Sequence, residues 1–295
     1  MAPAASGGGL SGSTGPNGLL LVDKPAGITS HDAVDRVRRA LGTRKVGHAG
    51  TLDPLATGLL LVGVGRATRL LRFLGDLPKL YRGTGLLGVE TSTLDAEGEV
   101  VGQAPFDRVT EAGLRRAMGT LVGEIEQVPP AYSAVKMGGE TLYRKARRGE
   151  SVEAPARRVS VYRFDPVRVD PPRFDFVVEC SGGTYVRTLV ADVGTSLGCG
   201  AHLAALRRTA IGPFRAEDAR PPQDPGQPLP VEEAVAHLPA MTMHPEEAKV
   251  AVHGCCLGPA GIAGPYRGLA PDGRLIGIYQ DEGAKAVPLV ILSPA

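Results

Sequence analysis

Two periods of apolar and polar residues run along this chain, and the places where one gives way to the other mark its elements. Leu19 to Asp23 is a short apolar run that ends at Lys24-Pro25 and predicts a strand. Val34, Val37 and Leu41 then fall at helical spacing. Thr29 and Asp32 ahead of them form a capping-box pattern, and Gly42 closes the segment, so a helix is predicted between Thr29 and Gly42. Leu59 to Val64 is an unbroken apolar run suited to a buried strand or core segment. Tyr81 to Val89 is strand-like although glycines interrupt it, and Thr110 to Leu121 is helical with Leu114, Met118 and Leu121 on one face. Leu142 to Arg148 predicts a short basic helix stopped by Gly149. Val159 to Val169 and Phe174 to Val178 alternate as strands about the turn Asp170-Pro171-Pro172. Thr184 to Leu197 returns to helical spacing, and Leu203 to Arg208 predicts a further helix. Residues 221 to 230, dense in Pro and Gln, predict a linker or exposed loop. Beyond them Lys249 to Val252, Leu275 to Tyr279 and Val287 to Leu292 predict short strands of a small β-barrel, separated by Gly- and Pro-rich turns.

Strands and helices interspersed without a regular βαβ repeat place the chain in the α+β class. Its 295 residues, 43% of them hydrophobic, suffice for one large domain and a small one. No apolar run approaches the roughly 18 residues that span a bilayer. Residues 1–16 are rich in Gly, Ser, Ala and Pro, lack the cationic start and apolar stretch of a signal peptide, and predict a flexible N-terminal tail. Cys180, Cys199, Cys255 and Cys256 lack zinc-type spacing and fit reduced thiols in a cytoplasm. The net charge of +2 is small for a nucleic-acid binder, but the charge is segregated. Lys136 to Arg163 holds eight basic residues against three acids, and Arg36, Arg38, Arg39, Arg44 and Lys45 form a second basic set. Such segregation suits a face that tracks phosphates, or an ordinary solvated helix surface.

The chemistry concentrates in residues 47–58, GHAGTLDPLATG. One carboxylate, Asp53, precedes Pro54, whose φ is fixed and which has no N–H. His48 and Thr51 add polar groups, and three glycines permit close backbone approach. Read from the residues alone, this is either a simple Asp-Pro turn or a lone acid held at the rim of a core element as a nucleophile.

The stretch closely resembles the catalytic motif of the TruB family of tRNA pseudouridine synthases, and four further blocks resemble that family in order. These are Gly18 to Gly27 with Thr29-Ser30-His31, Lys79-Leu80-Tyr81 with Leu87-Gly88, Cys180 to Arg187, and Gly198 to Arg208. The resemblance implies a mixed, largely antiparallel central sheet flanked by helices over residues 17–240. It also implies an RNA-gripping insertion at about 129–150 and a PUA-like β-rich domain over 244–295. It implies that Asp53 is the nucleophile, that Arg187 pairs with it, and that Tyr81 stacks on the target base and acts as a general base. By the same resemblance Tyr185 and Leu206 contact the flipped nucleotide, His48 touches the RNA, and Lys24 and Pro25 support the catalytic loop. Arg144, Lys145, Arg147 and Arg148 are expected to hold the T arm, with Tyr132 or Tyr143 available to stack.

The implied activity is conversion of the T-loop uridine of tRNA, position 55, to pseudouridine, by a route through a glycal or a covalent adduct. It requires no metal or cofactor, no membrane and no obligate protein partner, and it belongs in the cytoplasm. A partnering arginine lowers a carboxylate pKa by about 1–3 pH units, so Asp53 is expected to be held low. The competing readings are a synthase acting on another RNA, and a non-catalytic tRNA-binding or folding factor. Intact Asp53, Tyr81 and Arg187 speak against the latter. Gly83 and Gly85 depart from the family pattern and predict a weakened strand around Tyr81.

Overall fold

The computed structural model describes residues 15–130, 136–137, 140–141, 148 and 155–292. Residues 142–147 of the predicted helix over 142–148, Tyr132, and with them Tyr143 and the proposed RNA contacts Arg144, Lys145 and Arg147, lie outside the described residues, as does nearly all of the 1–16 segment.

In chain order the elements are β1 (Gly18–Lys24), α1 (Ser30–Leu41), β2 (Val46–Ala49), β3 (Thr57–Val64), β4 (Lys79–Leu87), β5 (Val89–Thr91), β6 (Val100–Gln103), α2 (Glu111–Gly119), β7 (Gly123–Gln127), β8 (Lys136–Met137), β9 (Glu140–Thr141), β10 (Arg157–Asp170) and β11 (Arg173–Cys180). There follow α3 (Val186–Ser196), β12 (Ala201–Ile211), β13 (Phe214–Arg215), α4 (Val231–Ala234), β14 (Ala240–Thr242), α5 (Pro245–Ala251), β15 (Tyr266–Leu269), β16 (Leu275–Glu282) and β17 (Lys285–Ile291). A nine-stranded sheet runs β1-β3-β12-β4-β11-β10-β7, with β2 and β13 attached to β3 and β12. Every pairing in it is antiparallel except β12 with β3. The mixed α+β class expected from the sequence is the one observed.

Local chemistry accounts for the N-terminal elements. Asp32 N–H donates to Thr29 Oγ1 (3.1 Å) and Thr29 N–H to Asp32 Oδ2 (2.9 Å), while Gly42 takes the left-handed conformation at φ 63°. The buried face of α1, with Ala33, Val34 and Val37, covers Leu20, Val22, Leu60, Val62 and Val64. Leu59 and Leu61 of the same strand face a second core, which explains why β3 is apolar at consecutive positions: both of its faces are covered. On the far half of the sheet, α2 and α3 bury Leu114, Met118, Leu189, Val190 and Val193 against Phe164, Phe174, Phe176 and Val178.

Two elements differ from the sequence reading. Residues 203–208 are not helical but lie within β12, a central strand bonded to β4 on one edge and to β3 on the other. Ala, Leu and Arg favour a helix locally, but pairing along both edges overrides that weak preference. Residues 249–251, expected as strand, end α5, which Pro245 starts and Glu247 caps through the His244 N–H at 2.9 Å. The Pro-rich stretch near 221–230 is also pinned at its ends. Leu229 exchanges backbone bonds with Leu19, and Arg220 with Leu21 and Asp23, so both cover the open edge of β1.

The C-terminal residues form an open four-stranded sheet, β14-β15-β16-β17, rather than the expected barrel. It starts at Ala240. Arg66 and Arg72 donate to the carbonyls of Leu292 (2.9 Å) and Leu289 (2.7 Å), and Leu275, Ile278 and Val290 share a core with Leu59, Leu61 and Leu70.

Gly83 and Gly85 are explained by packing. A Cβ on Gly83 would lie 2.4 Å from Phe176 Cζ, and one on Gly85 2.2 Å from Phe174 Cζ. The glycines let two aromatic rings of β11 lie across β4, so they close the core where a weakened strand was expected.

Candidate active site

The segment between β2 and β3 carries Asp53 and is held from three directions. Lys24 is fully buried at the end of β1, and its ammonium donates to the carbonyls of Ile28 (2.7 Å), Pro25 (3.0 Å) and Pro54 (3.3 Å). Ser30, in the first turn of α1, accepts from Leu52 N–H (2.8 Å) and donates to Leu52 O (3.1 Å). Arg208 of β12 donates to Leu59 O (2.7 Å) and Gly50 O (2.9 Å). Gly58 is required at its position: its φ is +99°, and a Cβ there would lie 2.3 Å from Arg208 O.

Asp53 faces a cleft of about 430 Å³ whose walls include Tyr81, Tyr185, Arg187, Leu206, Lys79 and Arg208. Its side chain is 40% exposed, and Oδ2 lies 3.5 Å from Arg187 Nε. Arg187 enters from the first turn of α3 and is buried. Its Nη1 lies 3.5 Å from Asp95 Oδ2 and donates to Thr93 O at 3.3 Å. Asp95 is buried as well and accepts from Thr93 Oγ1 (2.5 Å) and Glu97 N–H (3.1 Å).

Burial pushes the Asp53 carboxyl above its ordinary value. Arg187 pulls it back, Asp95 raises it further, and Lys24 lowers it. The expectation of a low carboxyl is therefore corrected. The arginine acts in the expected direction, but desolvation in the cleft outweighs it. Burial also pushes up the Tyr81 hydroxyl, opposed by Arg208. Lys24 and Lys79 are each pushed down by burial to about 8.

The other residues singled out from the sequence divide between the cleft and its surroundings. Tyr81 and Leu206 stand on adjacent central strands, nearly covered, and Tyr185 is the residue before α3, its backbone held by Gln127 through bonds of 2.9 and 3.2 Å. Pro25 and Lys24 lie behind the Asp53 loop. His48 sits on β2, opposite Val62, half-buried and outside the cleft walls. Burial, then Arg208 and His31, lower its imidazole, and among the described residues its Nδ1 has no hydrogen-bond partner. Arg148 is exposed. Sequence reasoning did not single out Asp95, Lys79 or Arg208. The sole signal for Asp95 is an acid in a turn-rich stretch, TSTLDAEGE, and the two cations were visible only as members of longer blocks. Among the described residues no group of three His, Cys, Asp or Glu is placed to hold a metal ion.

Three family models match consecutive stretches: the N-terminal domain of TruB family pseudouridylate synthase over residues 38–186, the tRNA pseudouridylate synthase B C-terminal domain over 187–221, and the tRNA pseudouridine synthase II C-terminal domain over 238–293. The tRNA pseudouridine synthase B of Thermobifida fusca (strain YX) is 47% identical, across 94% of this chain and 99% of the relative. The chain belongs to the TruB family. It is an isomerase of the tRNA pseudouridine synthase class. The tRNA pseudouridine synthase B of Mycobacterium bovis (strain ATCC BAA-935 / AF2122/97) is 44% identical over 96% of this chain and 97% of the relative. Among solved structures, a Cbf5-Nop10-Gar1 complex matches with a TM-score of 0.68 at 26% identity, covering 94% of this chain and 84% of that one. An H/ACA ribonucleoprotein bound to a substrate RNA containing 2′-deoxyuridine shares the fold, with a TM-score of 0.69 at 24% identity and coverage of 94% and 85%.

Proposed function

We propose that this TruB-family member isomerises the T-loop uridine of tRNA, position 55, to pseudouridine in the cytoplasm, with Asp53 as the nucleophile. The observation that carries this reading is the carboxylate of Asp53, the one acid among the described residues that line the cleft, half-exposed, with a buried guanidinium 3.5 Å away. The reaction breaks the N1–C1′ bond, turns the base, and joins C5 to C1′. The carboxylate serves either by attacking the sugar or base or by aiding the proton removal that gives a glycal. Either route benefits from a water-poor pocket in which Arg187 meets the ionised acid.

The target uridine is stacked within the folded arm, and extruding it costs a few kcal/mol. Tyr81 provides an aromatic face to replace that stacking and a hydroxyl to take a ribose proton, while Leu206 and Tyr185 complete the walls around the everted nucleotide. Lys24 and Pro25 keep the loop in place. Arg148 and its basic neighbours Arg144, Lys145 and Arg147 grip the T arm through phosphates, a mode that reads shape more than sequence. The names of the relatives in Thermobifida fusca and Mycobacterium bovis support tRNA as the substrate.

The test is tritium release from a T-arm stem-loop labelled at uridine C5, comparing the wild type with Asp53→Asn. Release by the wild type alone is the expected outcome. Equal release by the variant removes Asp53 from the chemistry. Silence of both on this stem-loop, with release on a different RNA, makes the chain a synthase of another substrate.

A further inference from the structure

Helix α3 starts without a local cap. Its N-cap residue is Tyr185, whose side chain makes no capping bond, and its first turn holds no acid. A cap residue normally offers a short side-chain oxygen to the first turn, and a capping box adds a Glu or Gln at the third helical position that reaches back to the N-cap N–H. Here the third position is Thr188, whose buried hydroxyl has no hydrogen-bond partner among the described residues. The hydroxyl of Thr184 is turned back to Ser181 O at 3.1 Å. The missing part comes instead from a distant strand. Gln127 Oε1 accepts from Tyr185 N–H at 2.9 Å, and Gln127 Nε2 donates to Tyr185 O at 3.2 Å. That carbonyl also accepts the first helical bond, from Leu189 N–H at 3.2 Å. Gln127 ends the edge strand β7 and is 2% exposed, whereas the four residues before it are exposed or half-buried.

Burying an amide is unfavourable unless both of its ends are bonded. Both ends of this one go to the backbone of a single residue. A carboxylate in its place could accept but not donate, and an apolar chain could do neither. The residue so held carries a ring that lines the same cleft as Asp53, Tyr81 and Leu206, with its centroid 6.0 Å from Arg187 Cζ. A Ser, Thr or Asp at 185 would cap α3 locally but would bring no aromatic face to the cleft. The geometry points to Gln127 as a positioning residue of the reaction: standing in for the absent cap, it fixes the backbone of Tyr185 so that the ring meets the everted nucleotide beside Asp53. Gln127 lies outside the cleft walls and acts through Tyr185. The inference rests on the proposed uridine isomerisation and on the contact proposed there for Tyr185.

The experiment compares Gln127→Met with the wild type in single-turnover tritium release at saturating enzyme, in stem-loop affinity and in the urea midpoint, and repeats the comparison in Tyr185→Ala. Methionine keeps the length of the side chain and removes both bonds. The rate should fall roughly 10- to 100-fold, the size expected when two neutral hydrogen bonds are lost, while affinity, set mainly by phosphate contacts, stays within about threefold. In Tyr185→Ala the same substitution should lower the rate by no more than about threefold, because the ring it serves is gone. A lower urea midpoint with an unchanged rate makes Gln127 a helix cap and nothing more, and overturns the proposal. An equal rate loss in both backgrounds, or a loss confined to affinity, overturns it too. If Gln127→Met fails to fold, Gln127→Asn carries the test, since its amide is one methylene short of spanning Tyr185. Failure of both to fold assigns Gln127 to folding alone and likewise overturns the proposal. Inactivity of the wild type on the stem-loop defeats the functional reading instead, so the two failures are told apart.

Discussion

Replacing Asp95 by Asn removes one charge from a pair whose side chains are each only 4% exposed, and the structure sets the size of the effect. At 3.5 Å and an effective dielectric of about 20, the attraction between Asp95 and Arg187 is about 5 kcal/mol. Not all of it is lost. Asn retains an oxygen for Thr93 Oγ1 and Glu97 N–H, and Arg187 keeps Thr93 O and Asp53. Breaking one side of a buried pair leaves the other charge poorly compensated, so the net loss expected is about 2–4 kcal/mol. The assay is urea unfolding, with a lower midpoint at unchanged slope. Asp53→Asn is the internal control: its carboxyl sits at the solvent-facing end of the network, and its removal should change stability by no more than about 1 kcal/mol. Activity supplies a second reading. The Asp95 charge raises the Asp53 carboxyl, so removing it lets Asp53 ionise at lower pH, and the acid limb of the rate profile should move down as the maximal rate falls. A stability loss below about 1 kcal/mol, or an equal loss for Asp53→Asn, refutes the picture of Asp95 as the buried anchor of Arg187.

Asp53→Asn should abolish tritium release. It should also remove a pH dependence: the folded carboxyl sits above its ordinary value, so wild-type stability declines as pH rises through that interval, and the variant should lack the decline. Gly83→Ala should destabilise by about 1–3 kcal/mol, because its Cβ would lie 2.4 Å from Phe176 Cζ, and Phe176→Leu should restore part of the loss; additive effects would count against the ring as the cause. Lys24 is held at about 8 in the fold against 10.5 when free, so the unfolded chain binds more protons between those values and stability should rise with pH there. Against Lys24→Met, which also forfeits three carbonyl contacts, the wild-type advantage should widen by up to about 3 kcal/mol across that window; parallel stability curves would show that Lys24 is not the source.

Short-range codes made much of this chain legible before any coordinates. The capping pair Thr29 and Asp32 with Gly42 bounds α1, and the unbroken apolar run of β3 announces a buried strand or core segment. The turn at Pro171-Pro172 separates two alternating strands, and the Asp53 loop was visible as a lone acid among glycines. Each of these signals is complete within a dozen residues, because capping, φ restriction and side-chain period act locally.

What depends on a distant partner could not be read in the same way. Leu203 to Arg208 is built from good helix formers and becomes a central strand only because β3 and β4 offer both edges. Gly83 and Gly85 look like weak points until Phe174 and Phe176 arrive from β11. The upward shift of Asp53, the Asp95–Arg187 pair and the buried fork of Arg208 arise from desolvation and juxtaposition in the closed cleft. No window of sequence contains those quantities; the packed tertiary structure alone sets them.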